Sequence, residues 1–245
     1  MSENFDNNKL KFSYVIPNLF TAGSAFVGVV SIIAASHGQF YKAAIYIFLS
    51  LILDGLDGRV ARLTNTTSKF GVEFDSLADV IAFGVAPAML FYFSFGYAFG
   101  KVGILFTALY IVFGAVRLAR FNVMSSTSEP SVFIGVPIPT AAIFVTMWIL
   151  IFIKYPTQYC EFFLIFIIAL ASILMVSNIR YPSFKKLDTK KSDTIKILIF
   201  LIIIFSLIYL RPIETLVILT SVYVIYGIFR YFYNIFIVKF KKKKV

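Results

Sequence analysis

Eight runs of predominantly apolar residues, at 13–35, 40–63, 75–99, 102–123, 136–154, 158–178, 194–210 and 212–238, divide the chain, and its charges fall mainly between them. Each run is near the roughly 20 residues that a helix needs to cross a hydrocarbon core about 30 Å thick. The pattern predicts an all-α, polytopic membrane protein with about eight transmembrane helices. Composition agrees: 60% of residues are hydrophobic and only 14% charged, against an apolar share of roughly 45–50% in a soluble domain.

A net charge of +11 could serve nucleic-acid binding or a membrane, and the placement of the basic residues decides between them. Counted on alternate sides of the spans, 19 of the 23 lysines and arginines fall on one side, and only Lys42, Lys101, Lys154 and Arg211 on the other. That is the positive-inside bias, and it predicts both termini in the cytoplasm, as an even number of spans requires. No nucleic-acid partner is implied; the expected surroundings are the lipids of the cytoplasmic membrane. The Lys239 to Lys244 cluster beyond the last span is placed either to touch anionic headgroups or simply to anchor topology. The polar first ten residues and the long first run do not form a cleavable signal, so the first span is expected to stay. The single cysteine, Cys160, excludes an internal disulfide. The lone His37 falls in a short loop on the sparsely charged side.

Five of the twelve acidic residues, Asp54, Asp57, Glu73, Asp75 and Asp79, lie within 26 positions spanning the end of the second run and the start of the third. A carboxylate at the centre of a spanning helix costs about 2.5–3.5 kcal/mol on insertion scales, so such a group needs partners or a water-filled cavity. Asp54 and Asp57 are three apart and Asp75 and Asp79 four apart, spacings that put each pair on one helix face. Four converging carboxylates repel one another unless cations lie between them, and hard oxygen ligands select ions such as Mg²⁺, Mn²⁺ or Ca²⁺. Gly55, Gly58 and Ala61 leave room for a bulky ligand against the backbone, and Arg62 follows about one turn later, where it can fork onto phosphate oxygens. Each glycine taken alone also suits close helix packing. Residues 63–71, LTNTTSKFG, read as a polar turn between the helices.

Residues 54–79 fit the pattern D-x2-D-G-x2-A-R-x8-G-x3-D-x3-D at every fixed position, namely Asp54, Asp57, Gly58, Ala61, Arg62, Gly71, Asp75 and Asp79. In this the chain resembles the CDP-alcohol phosphotransferase family. The resemblance implies an integral membrane enzyme, a homodimer with a six-helix catalytic core, and two divalent ions, Mg²⁺ or Mn²⁺, that grip the pyrophosphate of a CDP-linked donor. By position, Asp54, Asp57, Asp75 and Asp79 resemble the metal-binding aspartates, and Asp79 also the general base. Gly58, Ala61, Arg62 and Gly71 correspond to residues lining the CDP moiety. Residues 75–87, the stretches RLARFN (117–122) and GVPIP (135–139), and SNIRYPSF (177–184) are similar to the branch that transfers a phosphatidyl group from CDP-diacylglycerol to L-serine. The first six runs carry all of the resemblance. We therefore expect a catalytic core over 1–185 and a two-helix hairpin with a basic tail over 186–245, to which the sequence assigns no chemistry.

A serine acceptor carries a carboxylate, so its pocket needs a fixed cation. Arg117 and Arg120 are the best placed by topology, with Arg180 third; the alternative for the first two is anchoring a helix end in the headgroup region. Asn18, in the stretch IPNLFT (16–21), can meet the nucleotide from the first span, or Pro17 and Asn18 can merely shape a helix entry. Glycerol 3-phosphate or inositol phosphate would suit the same arginines. A cation channel or transporter is the rival outside this chemistry, and it predicts carboxylates spread through the membrane depth.

Overall fold

The computed structural model describes residues 2–242 apart from 65, 67, 125–131 and 183–190, with side chains from Val15 to Tyr233 save those stretches and residues 132, 133, 182 and 191–195. The described chain is built almost wholly of helix, as expected for a polytopic membrane protein. The elements are α1 (Ser2–Ser36), α2 (Phe40–Leu63), α3 (Lys69–Asp79), α4 (Ala86–Ser94), α5 (Lys101–Met124), α6 (Ile138–Lys154), α7 (Cys160–Val176), α8 (Lys191–Leu210) and α9 (Pro212–Lys242). With α3 and α4 joined end to end, these make eight helical rods. Such rods satisfy their own backbone, which a bilayer interior demands.

By length and composition, Val15–Ser36, Lys69–Ser94, Lys101–Met124 and Pro212–Tyr233 can cross a membrane, while Ile138–Lys154, Cys160–Val176 and Lys196–Leu210 are shorter apolar helices. At 17 residues, α6 and α7 are about 25 Å long. Helix α2 belongs to neither group, because it carries the aspartates and arginines of its last turns.

One expectation needs correction. Pro17 does not shape a helix entry: α1 begins at Ser2, and Pro17 lies inside it. Beside the helices of the expected all-α membrane protein stands one short ribbon, in which β1 (Val132–Ile134) and β2 (Arg180–Pro182) pair antiparallel, with Ile134 opposite Arg180 and Phe133 opposite Tyr181. The segments that lead into α6 and out of α7 lie at the same end of the bundle, where extended backbone can pair. The supposed boundary at 185/186, Ser183 and Phe184 of the last motif, Asn65 and Thr67 of the turn, and the side chains of the Lys239 to Lys244 cluster lie outside the described residues.

Helices α1 and α2 form a tight hairpin. At its bend Gly38 has a φ of 72°, and the N–H groups of Gly38 and Gln39 return to the carbonyls of Ala35 and Ala34, which closes the C-terminus of α1 in the usual left-handed way. Along the seam, Ser24 and Ser50 each donate to the other's carbonyl at 3.1 and 3.0 Å, and Ser31 donates to Ala43 at 2.8 Å. These buried hydroxyls hold two helices together where apolar lipid supplies no hydrophobic drive. The core itself lies among α4, α6 and α7, where Leu90, Phe91, Ile138, Met147, Ile149, Leu164 and Ile168 are almost fully buried.

Between α3 and α4 the helix widens into a π-helical turn, Val80–Val85, in which the Ala86 N–H reaches back five residues to Ile81. Pro87 lacks an N–H, so the Phe83 carbonyl loses its partner four residues on. The buried Tyr110 hydroxyl of α5 donates to that carbonyl at 3.3 Å.

Candidate active site

Three elements converge at one end of the bundle. Helix α1 brings Pro17, Asn18 and Thr21; the last turns of α2 bring Asp57, Gly58, Ala61 and Arg62; the following turn and α3 bring Thr66, Ser68, Gly71, Val72 and Asp75. Together they line a cavity of about 190 Å³. The sequence-expected nucleotide residues Asn18, Gly58, Ala61, Arg62 and Gly71 thus stand side by side. Thr21, Thr66 and Ser68 were not singled out, although Thr21 closes the stretch 16–21 quoted for Asn18 and the other two lie in 63–71, read as a polar turn.

Local chemistry accounts for the shape. Ser68 is the N-cap of α3, with extended backbone, and its hydroxyl accepts the Gly71 N–H at 2.9 Å, the standard remedy for an orphan helix donor. A Cβ at Gly71 would meet Ser68 Oγ at 3.2 Å and Asn18 Oδ1 at 3.3 Å, so the absent side chain lets α1 and the cap approach. Gly58 is different. A Cβ there would meet only the tip of Arg62, 3.7 Å away, and one at Gly55 would meet nothing. Neither glycine serves helix packing among the described residues; at Gly58 the saved space belongs to the cavity.

The carboxylates gather as the spacing predicted. One oxygen from each of Asp54, Asp57 and Asp75 lies within 4.8 Å of the others, and Asp54 and Asp79 are within hydrogen-bonding reach of each other. Asp57 is the best satisfied: the Thr21 hydroxyl donates to it at 2.5 Å, the Gly58 N–H points to it and Arg62 is nearby. By contrast Asp75 Oδ1 and Asp79 Oδ1 are buried without a hydrogen-bond partner. Two unit charges 4.8 Å apart repel by about 3–4 kcal/mol at an effective dielectric near 20. A divalent cation bound by oxygens at roughly 2.0–2.6 Å fits this donor set and relieves both the repulsion and the orphaned oxygens.

The two arginines of α5 part company. Arg120 donates to the Val176 carbonyl at 3.0 Å and to Asn178 Oδ1 at 2.8 Å, so it ties the end of α5 to the end of α7. Arg117 is only 7% exposed, its Nε has no hydrogen-bond partner, and it lies in electrostatic reach of Asp79. Its guanidinium sits 5.6 Å from the Phe121 ring centre. Arg180 is exposed on β2. Asn122, unremarked within RLARFN, donates to Ser76 at 3.0 Å and to Glu73 at 3.4 Å, fastening α5 to α3.

Residues 14–179 match the family model for CDP-alcohol phosphatidyltransferase. A Helicobacter pylori protein named CDP-diacylglycerol–serine O-phosphatidyltransferase is 52% identical over 94% of this chain and 97% of its own length. One of the same name from Bacillus subtilis is 37% identical over 70% of this chain and 92% of its own. An archaetidylserine synthase from Methanothermobacter thermautotrophicus is 38% identical over 72% and 73%. With its carboxylates, small residues and arginine assembled in one cleft within the matched stretch, this chain belongs to the CDP-alcohol phosphatidyltransferase family.

Proposed function

We propose that this protein transfers the phosphatidyl group of CDP-diacylglycerol to the hydroxyl of L-serine and releases CMP. The observation that carries the reading is the cleft between α1, α2 and α3, where Asp57 and Asp75, the latter with an unsatisfied oxygen, adjoin Gly58, Ala61 and Arg62. The relatives' names and the extent of the likeness support serine as the acceptor.

In this reading Gly58, Ala61, Gly71 and Asn18 accommodate the cytidine end of the donor, and Arg62 pairs with phosphate oxygens. Asp54, Asp57, Asp75 and Asp79 would hold two divalent ions, Mg²⁺ or Mn²⁺, which when bound neutralise the pyrophosphate and the charge left on CMP. Asp79 takes the proton of the serine hydroxyl as that oxygen bonds to phosphorus and the bond to CMP breaks. Arg117 is favoured over Arg120 and Arg180 for the serine carboxylate, because it is buried beside Asp79 with donor capacity to spare, whereas Arg120 is engaged. The 19-to-4 charge split supports a cleft on the cytoplasmic face of the cell membrane with both termini inside. The family match over 14–179 supports a catalytic core over 1–185, and a homodimer follows from the family resemblance. Against a channel or transporter stands the gathering of the carboxylates at one end of the bundle rather than along its depth.

The test is to incubate the purified protein with CDP-diacylglycerol and, separately, serine, glycerol 3-phosphate or inositol phosphate, and to identify the lipid by mass spectrometry. Phosphatidylserine with stoichiometric CMP is expected. A lipid formed only with a phosphate-bearing alcohol would overturn the acceptor, and no CMP with any alcohol would overturn the transferase.

A further inference from the structure

Helices α1 and α2 are laced along their seam by hydroxyl groups, and the rung at the cleft differs from the others. Ser31 and Ser24 of α1 donate to the carbonyls of Ala43 and Ser50 of α2, so these bonds join backbone to helix. Thr21, one turn nearer the cleft, donates instead to Asp57 Oδ2, at 2.5 Å. Both residues are almost fully buried, Thr21 at 3% exposure and Asp57 at 6%. The length is that of a hydroxyl on an ionised carboxylate, among the stronger hydrogen bonds that proteins make.

A second acceptor lies within reach of Thr21, and distance decides between the two. A helical serine or threonine commonly turns its hydroxyl back on the carbonyl four residues earlier. Thr107, Ser172, Ser206 and Thr220 do so at 2.8, 2.7, 2.8 and 2.7 Å. For Thr21 the same contact, to the Pro17 carbonyl, is stretched to 3.2 Å. Its one proton is drawn off its own helix and onto the carboxylate. Rotation of an aspartate about its last side-chain bond has no sharp preferred angle of its own, so the hydroxyl from α1 supplies the constraint.

We infer that Thr21 is a positioning residue for the metal set: its hydroxyl holds the Asp57 carboxylate in the orientation that brings one oxygen within 4.8 Å of those of Asp54 and Asp75. A helix that supplies none of the four aspartates thereby sets the affinity of their site. This rests on the reading of these aspartates as ligands to divalent ions.

The test is to titrate the purified full-length protein with Mn²⁺ and follow the loss of the free-ion electron paramagnetic resonance signal. Thr21→Val keeps the branched shape and removes the donor, and it should raise the Mn²⁺ Kd about 10-fold or more, the usual cost of losing a group that orients a metal ligand. Thr21→Ser keeps a hydroxyl and should stay within about threefold of the original Kd. Ser24→Ala breaks the neighbouring rung, so it should lower the thermal midpoint and move the Kd by less than about twofold. If valine does not pack at position 21, Thr21→Ala read against Thr21→Ser gives the same comparison. An unchanged Kd without the hydroxyl, no recovery with serine, or an equal rise in Ser24→Ala would each overturn the inference. Asp57→Asn separates the two levels. Undiminished Mn²⁺ binding in that variant sinks Asp57 as a ligand and Thr21 with it, whereas weakened binding beside an inert Thr21→Val sinks only the role of Thr21.

Discussion

The two ends of the bundle both carry charge, and they treat it in opposite ways. At the end where α2 begins and α6 finishes, Glu214 is matched by Lys154 at 2.7 Å, the Tyr155 hydroxyl and Arg211 at 3.8 Å. The charges close on one another and the helices are joined. At the other end one oxygen from each of Asp54, Asp57 and Asp75 lies within 4.8 Å of the others, no ion pair closes on them among the described residues, and Asp75 Oδ1 and Asp79 Oδ1, like the second oxygen of Glu214, are buried without a hydrogen-bond partner. A cluster that only braced the fold would recruit counter-ions from the chain, as Glu214 does. One that leaves them out is built to receive them.

The largest effect that sharpens this contrast should come from chelation. EDTA should abolish CMP release and Mg²⁺ or Mn²⁺ restore it, because the aspartates repel one another without a cation. Undiminished release in chelator would remove the metal proposal. Next, Asp79→Asn should cut turnover by about 10²-fold or more, the usual reach of a general base, with donor binding less affected. Asp57→Asn should instead raise the donor KM as well, since Asp57 is held in the cleft by Thr21. Identical kinetic profiles for the two variants would leave their separate roles without support.

A smaller effect is expected from the arginines. Arg117→Ala should raise the serine KM roughly 10- to 150-fold, the loss of one charge-assisted hydrogen bond worth about 1.5–3 kcal/mol. Arg120→Ala should lower the thermal midpoint and leave both KM values nearly unchanged, because its bonds go to Val176 and Asn178. The reverse result would exchange their assignments. Smallest of all, Glu214→Gln should lower the thermal midpoint slightly, less so in high salt, with turnover unchanged. A substantial loss of activity would show that the paired end is not merely structural.

The contrast was only half legible in the sequence. Carboxylate spacing and apolar runs are local signals, and they located the helices and gathered Asp54, Asp57 and Asp75. Contacts across the fold were not visible. Thr21 reaches Asp57 from 36 positions away, and only the α1–α2 hairpin brings them together. Arg117 and Arg120 looked alike because three residues separate them by about 60° around a helix. That angle decides which of them faces Asp79 and which faces Val176. The polar residues before position 13 hid the true start of α1, since apolar content marks where a helix meets lipid and not where it begins. The ribbon of β1 and β2, three residues each, is too short to announce itself.

The widened turn at Val80–Val85 makes segment length a functional quantity. A helix advances about 100° and 1.5 Å per residue, and this turn already holds one residue more than an α-turn, so adding another there would leave an unbroken apolar rod of nearly the same hydropathy. It would also swing α3 by about 100° relative to α4, taking Asp75 and Asp79 away from Asp54 and Asp57. At Val80, Ile81 and Val85, which are not fully buried, the segment should absorb exchanges of one apolar residue for another, yet no added residue.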